Sequence, residues 1–312
     1  MLVSIVIPCY NSEFSIARLV KAIKKEFSKN NGYEYEIILV NDNSSDNTFK
    51  VIRDLCSDKQ IKGLNFSKNF GQHSALMAGL AISSGDLVVC MDDDCQTPPN
   101  QMFKLIDAVN EDVDVVYARY EDKKHNSFRN LGTYFNNLML VKLLDKEPDL
   151  FISSYFVAKR FIINYIINYQ NPFPYLPGLV LKSTSNIVNV KIDHAERVSG
   201  ESGYTLSKLL GLWINGFTSF SIKPLRVSLY IGGILAILAF IAGIYIIIKH
   251  LITPYSVLGW TSLITVILFA SGLMMFTIGA VGEYVGRIFL SINRLPQYVI
   301  KEEINVDDED ES

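Results

Sequence analysis

Three consecutive aspartates, Asp92, Asp93 and Asp94, follow a short apolar run in the segment MDDDCQTPP (91–99). Adjacent carboxylates repel one another, so the run needs a compensating partner, either bulk water or a divalent cation. On an extended chain alternate side chains share one face, which lets Asp92, Asp94 and the amide oxygen of Gln96 reach one cation. Hard oxygen ligands favour Mg²⁺ or Mn²⁺. We therefore predict a metal site, with a solvated loop or a helix cap as the alternative.

Apolar runs and helical patterns alternate through the first 226 residues. Helical patterns such as 15–30 and 71–85 separate five short runs that predict strands. These runs are LVSIVIP (2–8), YEIILVND (35–42), IKGLNFS (61–67), LVVCMDD (87–93) and VDVVYAR (113–119). The alternation predicts an α/β fold, a mostly parallel sheet with helices on both faces. Ligands of such sheets bind beyond the carboxyl ends of the strands, where the aspartates and the clusters PCYN (8–11) and NDNSSDNT (41–48) lie.

Two loops that enter helices carry further candidates. Asp42 is a candidate acceptor for the N–H groups of a nucleobase, whereas Ser45 or Asp46 can cap the helix that follows. Gly71 lies near the start of the predicted helix in SKNFGQHSALMAGL (67–80). Backbone amides at a helix start can bind an anionic group. An ordinary left-handed turn explains Gly71 equally well.

The composition points to a membrane rather than to nucleic acid. Hydrophobic residues make up 49% of the 312 residues, charged residues only 20%, and the net charge is −3. A chain with no basic excess gives no reason to expect a nucleic-acid partner. The four cysteines form no CxxC pair, which favours reduced thiols in a cytosolic environment. The N-terminus starts directly on an apolar strand, so we expect no cleavable signal peptide.

Two long uncharged runs near the C-terminus predict transmembrane helices over 227–248 and 260–282. Lysines and arginines flank the pair on its outer sides, while the connecting loop carries only Lys249 and His250. The positive-inside rule then predicts a multi-pass hairpin in the cell (inner) membrane, with the catalytic domain and both termini in the cytoplasm. Residues 283–312 form a predicted cytoplasmic tail. Glycines in the spans allow packing within the hairpin or a homo-oligomer.

Four motifs, PCYN, NDNSSDNT, NFGQHSALMAGL and MDDDCQTPPN, occur in an order that resembles family-2 glycosyltransferases with the GT-A fold. Two later segments, 194–226 and GEYVGRIFLSINRLPQYVI (282–300), resemble the branch that transfers sugars to polyprenyl phosphates. That branch includes dolichol-phosphate mannose synthase and bacterial enzymes that act on undecaprenyl phosphate. It has a two-helix hairpin at the C-terminus, and the resemblance covers nearly the whole chain. We therefore expect a GT-A-like domain over 1–226.

The resemblance implies roles for individual residues. It assigns the nucleotide base and ribose to Pro8, Tyr10 and Asp42, and Mg²⁺ or Mn²⁺ on the diphosphate to Asp92, Asp94 and Gln96. It assigns phosphate groups near the membrane to Arg197, Ser202 and Tyr204. The residues themselves add Asn69, Gly71, Asp92 and Asp93 as candidates for the nucleotide sugar, with a UDP-sugar favoured, and the cations Arg129 and Lys208 as candidates for the phosphate of the polyprenyl acceptor. The residues expected to act in catalysis are Asp94, Ser154 and Arg197. The apolar stripe of segment 128–144 predicts either a position at the membrane interface or packing in the core, and segment 205–220 is expected to lie at the interface.

The chain departs from the family pattern at two places. Thr97 stands where relatives usually have an aspartate, and Ser153 and Ser154 stand where relatives often place another. A phosphate nucleophile has a second pKa near 6 and is largely dianionic at pH 7, so the reaction does not require a base. Cations such as Lys123, Lys124 and Arg129 would then position the lipid phosphate.

The expected reaction is a single displacement at the anomeric carbon, with inversion of configuration. The phosphate oxygen of the lipid attacks, and the nucleoside diphosphate leaves. Two alternatives remain open: a processive polysaccharide synthase, and a membrane-anchored protein that binds a nucleotide sugar without catalysis. The first usually carries a Gln-x-x-Arg-Trp segment and more spans, and neither occurs in this sequence.

Overall fold

The computed structural model describes residues 1–94, 97–120, 141, 146–172, 174–193, 259–293 and 295–306, with single positions between 230 and 252. Two compact units make up the chain, Met1–Trp213 with Arg294–Ser312, and Ile214–Asn293. The predictions for Gln96, Arg129, Arg197, Ser202, Tyr204 and Lys208, and for segment 205–220 and nearly all of 128–144, lie outside the described residues.

The first unit is built on one eight-stranded sheet with the order β7-β5-β6-β4-β1-β2-β3-β8. The strands are β1 Leu2–Cys9, β2 Glu34–Asn41, β3 Ile61–Phe66, β4 Leu87–Cys90, β5 Val115–Tyr120, β6 Phe156–Lys159, β7 Ile187–Ile192 and β8 Ile300–Ile304. Strands β1 to β4 pair in parallel, and β7 is parallel to β5. Strand β6 is antiparallel to β4 and β5, and β8 is antiparallel to β3. The predicted α/β fold with a mostly parallel sheet is confirmed.

Helices cover both faces of the sheet. They are α1 Ile16–Phe27, α2 Thr48–Leu55, α3 Gln72–Ala81, α4 Met102–Ile106, α5 Arg160–Ile167 and α6 Leu176–Ser183. Alternate side chains of β1 point to opposite faces of the sheet, as the pleat of a strand requires. Ile5 and Ile7 pack in the core with Leu19 of α1. Val6 faces α3, where a Cβ added to Gly79 would lie 2.4 Å from a Val6 methyl group, so only glycine permits this close approach.

The second unit contains the helix α7, Trp260–Ile292. It starts where the second span was predicted and continues beyond residue 282. Among the described residues, one helix is long and apolar enough to cross a membrane, with its window at Phe269–Ile292. The described positions between Tyr230 and Ile252 are also helical.

The chain after α7 returns to the first unit. The sequence predicts a tail over 283–312, and within it the structure forms β8 at the open edge of β3. Glu302 of β8 pairs through both carboxylate oxygens with Arg53 of α2, at 2.8 and 3.0 Å. The edge strand next to β3 is therefore formed by residues that lie far from the other strands in sequence.

Candidate active site

The loops that follow β1 and β2 join at the carboxyl edge of the sheet. The Asn11 side-chain oxygen accepts the backbone N–H of Ser45 at 3.0 Å, and the Asn11 N–H donates to the Ser44 hydroxyl at 3.0 Å. Glu13 accepts the N–H of Asn47 at 2.9 Å. These reciprocal hydrogen bonds make the two polar clusters one continuous surface, as the predicted parallel sheet requires.

Asp46 contributes to this junction as a capping residue. Its carboxylate accepts the backbone N–H of Thr48 at 3.0 Å and the hydroxyl of Thr48 at 2.5 Å. The other carboxylate oxygen accepts the N–H of Glu13 at 3.2 Å. Asp46 thus satisfies free donors at the start of α2, and it is the one of the two predicted capping candidates, Ser45 and Asp46, that does so through its side chain.

Asp93 supports the loop after β1. Its carboxylate accepts the backbone N–H of Tyr10 at 3.1 Å and a short hydrogen bond from the Ser12 hydroxyl. Burial is the largest influence on its pKa, which is raised, while the bond from Ser12 acts in the opposite direction. The Tyr10 side chain is about half exposed, at 52%. Asp93 therefore holds the backbone of a loop that presents an aromatic ring to solvent.

Asp92 is partly buried and is held from two sides. Gln72, the first residue of α3, donates its side-chain amide to one carboxylate oxygen at 2.8 Å. The Ser154 hydroxyl donates a short hydrogen bond to the other. Burial is the main cause that raises the pKa of Asp92 to about 6, and Asp94 and Asp93 raise it further, whereas the Ser154 bond lowers it. This carboxylate carries its charge at an energetic cost that a bound cation would remove.

The aspartates at the carboxyl edge of the sheet suit a divalent cation that the protein itself coordinates with few ligands. Among the described residues no group of three or more His, Cys, Asp or Glu side chains is arranged to hold a metal. Asp94 lies close enough to Asp92 for its charge to raise the pKa of the Asp92 carboxyl. Mg²⁺ is typically held by one or two carboxylates, with phosphates and water completing its shell. The donors present therefore suit a cation that arrives with a diphosphate.

Asp42 binds the backbone at the entrance to α3. Its two carboxylate oxygens accept the N–H groups of Phe70 at 2.7 Å and Gly71 at 2.8 Å. The side-chain amide of Asn69 donates to the Asp42 carbonyl at 3.3 Å. Gly71 has a φ of +91°, a conformation that favours glycine. The amides at this helix start thus meet an anionic group, as the sequence allowed, and that group is the protein's own Asp42.

Two predicted residues have purely internal positions. Pro8 is buried in β1, where it pairs with Val40 of β2, so it shapes the floor of the edge. Thr97, at the position where relatives have an acid, is 1% exposed and donates its hydroxyl to the Asp92 carbonyl at 3.4 Å. A neutral hydroxyl suits this buried contact, which explains how the departure is tolerated.

Aromatic residues next to the partners of Asp92 were not anticipated from the sequence: His73 follows Gln72, and Tyr155 follows Ser154. Burial raises the pKa of Tyr120, and the charges of Asp92 and Asp94 raise it further. The Tyr155 hydroxyl and the His73 Nδ1 are buried without a hydrogen-bond partner among the described residues. Burial lowers the pKa of His73 to about 4, so the ring is neutral. Tyrosines in apolar strands give no sequence signal that separates a site wall from ordinary core.

A mostly parallel sheet with two partly buried aspartates, Asp92 and Asp94, just beyond β4 is typical of GT-A-type transferases that use nucleotide sugars. The chain belongs to glycosyl transferase family 2, whose family model matches residues 4–167. Residues 223–288 match the GtrB C-terminal hairpin. These matches confirm the resemblance drawn from the sequence motifs, including its membrane-anchored branch.

Relatives match along nearly the whole chain. The SfII prophage-derived bactoprenol glucosyl transferase of Shigella flexneri is 34% identical, over 96% of this chain and 98% of its own. The undecaprenyl-phosphate 4-deoxy-4-formamido-L-arabinose transferase of Proteus mirabilis is 30% identical, over 97% and 94%. Among solved structures, glucosyl-3-phosphoglycerate synthase from Mycobacterium tuberculosis has a TM-score of 0.53 at 18% identity. It covers 70% of this chain and 77% of its own, and supports the GT-A fold.

Proposed function

We propose that the protein transfers one sugar from a nucleoside-diphosphate sugar to a polyprenyl phosphate, with a UDP-sugar and undecaprenyl phosphate as the favoured pair. The observation that carries the transferase chemistry is the pair of partly buried aspartates Asp92 and Asp94, two residues apart just after the end of β4. The acceptor class rests on relatives of nearly full length that are named as undecaprenyl-phosphate and bactoprenol transferases.

The donor would lie across the joined loops. Tyr10 and the loop that Asp42 organises would hold the base and ribose, because both face the carboxyl edge. Asp92 and Asp94, together with Gln96, would hold Mg²⁺ or Mn²⁺ on the diphosphate. The metal, when bound, neutralises charge that develops on the leaving diphosphate. A protein of the same fold was crystallised with Mn²⁺ and UDP-glucose, which supports this assignment.

The residues of the chain orient the reactants. A lipid phosphate oxygen forms the new bond to the anomeric carbon while the bond to the diphosphate oxygen breaks, and its electron pair leaves with the nucleoside diphosphate. The nucleophile is largely dianionic at pH 7, so no proton must be removed. A serine at position 154 is compatible with a reaction that needs no base. Its hydroxyl donates a hydrogen bond to Asp92 and orients that carboxylate. Arg129, Arg197, Ser202, Tyr204 and Lys208 are the proposed contacts to the lipid phosphate.

The strand pairing supports a membrane hairpin. Strands β3 and β8 belong to one sheet, so the chain before and after the second unit lies on one side of a membrane. The intervening segment must then cross an even number of times. With α7 as one span, the helical positions from Tyr230 onward supply the other. By the positive-inside rule, the cationic flanks favour a cytoplasmic location for the sheet and both termini, where the nucleotide sugar is available.

A transfer assay tests the function. The purified full-length protein is incubated with Mn²⁺, undecaprenyl phosphate and a panel of UDP-, GDP- and dTDP-sugars, and lipid extracts are measured by mass spectrometry. We expect one new glycolipid carrying a single sugar, which disappears in Asp94→Ala. Metal-dependent nucleotide binding without transfer to any polyprenyl phosphate would favour a binding protein and overturn the proposal.

A further inference from the structure

Residues 295–306, which follow α7, run along the outer edge of the sheet and are called the strap here. One end of the strap is fixed to the loop between α2 and β3. The Asn305 side-chain amide donates to the carbonyls of Cys56 at 2.6 Å and Ile61 at 2.8 Å. In the middle, β8 pairs with β3, and the pairing register shifts between Asn65 and Phe66. Such a bulge redirects the strand that carries it.

The other end of the strap meets the loop that leaves β3. The Val299 carbonyl accepts the backbone N–H of Ser67 at 2.9 Å. The Tyr298 ring stacks on the ring of Phe66, with centroids 5.3 Å apart and planes only 7° apart. Phe66 is fully buried, so this stack is a firm contact between the strap and the last residue of β3.

The stack continues to the loop that holds Asp42. Phe66 also contacts Phe70 edge-to-face, with centroids 5.6 Å apart and planes at 86°. The backbone N–H of Phe70, together with that of Gly71, is the group that Asp42 binds. Three rings therefore connect the strap to the loop 67–71.

We infer that Tyr298 is a positioning residue for nucleotide binding, which it supports through Phe66 and Phe70 from outside the site. The inference rests on the proposed function, because that proposal assigns Asp42 and the loop 67–71 to the nucleotide. The loop lies outside regular structure and includes the positive φ of Gly71. Without the stacked rings the loop can adopt more conformations. Only molecules whose loop is in the binding-competent conformation bind nucleotide, so the apparent affinity falls.

This arrangement gives the strap a role beyond completing the sheet. The strap is the first described segment after the membrane-anchoring unit, so the chain that leaves the anchor also shapes the donor site. Binding linkage is reciprocal, so nucleotide must in turn stabilise the strap. We expect hydrogen exchange of residues 297–304 to slow when nucleotide and metal are bound.

Binding of UDP with Mn²⁺ to the full-length protein in detergent tests the inference by calorimetry, with GDP used instead if the wild type prefers it. Tyr298→Ala should weaken nucleotide binding roughly two- to ten-fold, the range that one aromatic pair accounts for. Tyr298→Phe keeps the stacked ring and should bind like the wild type. The matched control is Arg53→Ala, which loosens the strap at Glu302 but leaves the stack in place.

Transfer kinetics provide a second readout. Tyr298→Ala should raise the KM for the donor by a similar factor and leave the KM for the lipid unchanged. If Tyr298→Ala fails to fold in a thermal melt, Tyr298→Leu replaces it, since leucine keeps bulk without a ring.

Three results would overturn the inference. The first is wild-type nucleotide affinity in the folded alanine or leucine variant, which leaves the proposed function intact if the wild type still transfers sugar. The second is an equal loss in Arg53→Ala, which would mean that any loosening of the strap suffices. The third is a wild type that binds no nucleotide, which overturns the proposed function first.

Discussion

The hydroxyl of Ser154 donates a hydrogen bond to the carboxylate of Asp92, although the two residues lie on different strand ends and far apart in sequence. Relatives often have an aspartate in this segment, so the serine suggests at first that a catalytic base has been lost. The contact gives it a different role. The bond stabilises the ionised form of Asp92 against burial and against the charges of Asp94 and Asp93.

Ser154→Ala should therefore weaken metal use without abolishing transfer. Residues that orient a metal ligand typically contribute about 10- to 100-fold to metal affinity or activity, and we expect a loss in that range. The Mn²⁺ concentration needed for half-maximal transfer should rise, because more of the Asp92 population binds a proton. The measurement is a metal titration of the transfer rate. Ser153→Ala is the matched control, since the Ser153 hydroxyl donates to the Tyr155 carbonyl instead.

Asp94→Asn should lower transfer by more than about 100-fold, because a direct metal ligand, the role proposed for Asp94, matters more than the groups that orient it. The fold should remain intact, since the substitution removes one of three adjacent like charges. Thermal melting without metal should thus show an unchanged or higher midpoint. A clear drop in that midpoint would assign Asp94 a structural role and contradict this expectation.

Asp93→Ala is the contrasting change. The carboxylate of Asp93 accepts the N–H of Tyr10 and the hydroxyl of the buried Ser12. The Tyr10 N–H also donates to the Ser12 hydroxyl oxygen at 3.1 Å, so the substitution leaves the Ser12 hydroxyl as the donor without its acceptor. Leaving a buried donor unsatisfied costs about 1–3 kcal/mol, and we expect a lower melting midpoint even without metal. Comparing metal-free melts of the Asp93 and Asp94 variants separates the two roles. Equal midpoints would contradict the assignment.

Asp42→Ala should affect the donor but not the lipid. The N–H groups of Phe70 and Gly71 lose their acceptor, and the loop they belong to loses its anchor. We expect a higher KM for the nucleotide sugar with an unchanged KM for polyprenyl phosphate, measured by varying each substrate in turn. Asp42→Asn retains one acceptor oxygen, so its KM for the nucleotide sugar should lie between those of the wild type and Asp42→Ala.

Glu36 offers a pH-dependent test away from the active site. Burial raises its pKa, but Lys62 at 2.8 Å and hydrogen bonds from Ser4 and Ser84 outweigh that influence, and the pKa is lowered overall. A lowered folded-state pKa means that the ionised group stabilises the fold above its ordinary pKa of 4.5. That contribution disappears as the pH falls through the folded-state value.

Glu36→Gln should accordingly lower the melting midpoint at pH 7, and the difference from the wild type should shrink as the pH falls below 4.5. The substitution leaves Lys62, whose side chain is only 17% exposed, without its anionic partner. Melting curves at pH 7, 5 and 4 provide the measurement. A difference that grows toward acid pH would contradict the sign of the pKa shift.

Much of the site was predictable because its determinants are local in sequence. Apolar runs followed by polar clusters predict parallel strands whose carboxyl ends share an edge, and the loops after β1 and β2 do meet there. The alternation of Asp92, Asp93 and Asp94 likewise follows from backbone geometry, and Asp93 does turn toward the β1 loop. Uncharged runs of membrane length identify the anchoring unit for the same reason, since bilayer thickness sets the length of a span.

Only the tertiary structure decided which partners these residues have. Asp42 was assigned by its position, but the amides that bind it come from the start of α3. Ser154 approaches Asp92 because β6 runs antiparallel to β4, an order that periodicity does not encode. The strand Ile300–Ile304 pairs with β3 although the whole of the second unit lies between them in sequence. Hydrophobic patterning records whether a residue is buried, whereas the choice among buried neighbours depends on long-range packing of the complete chain.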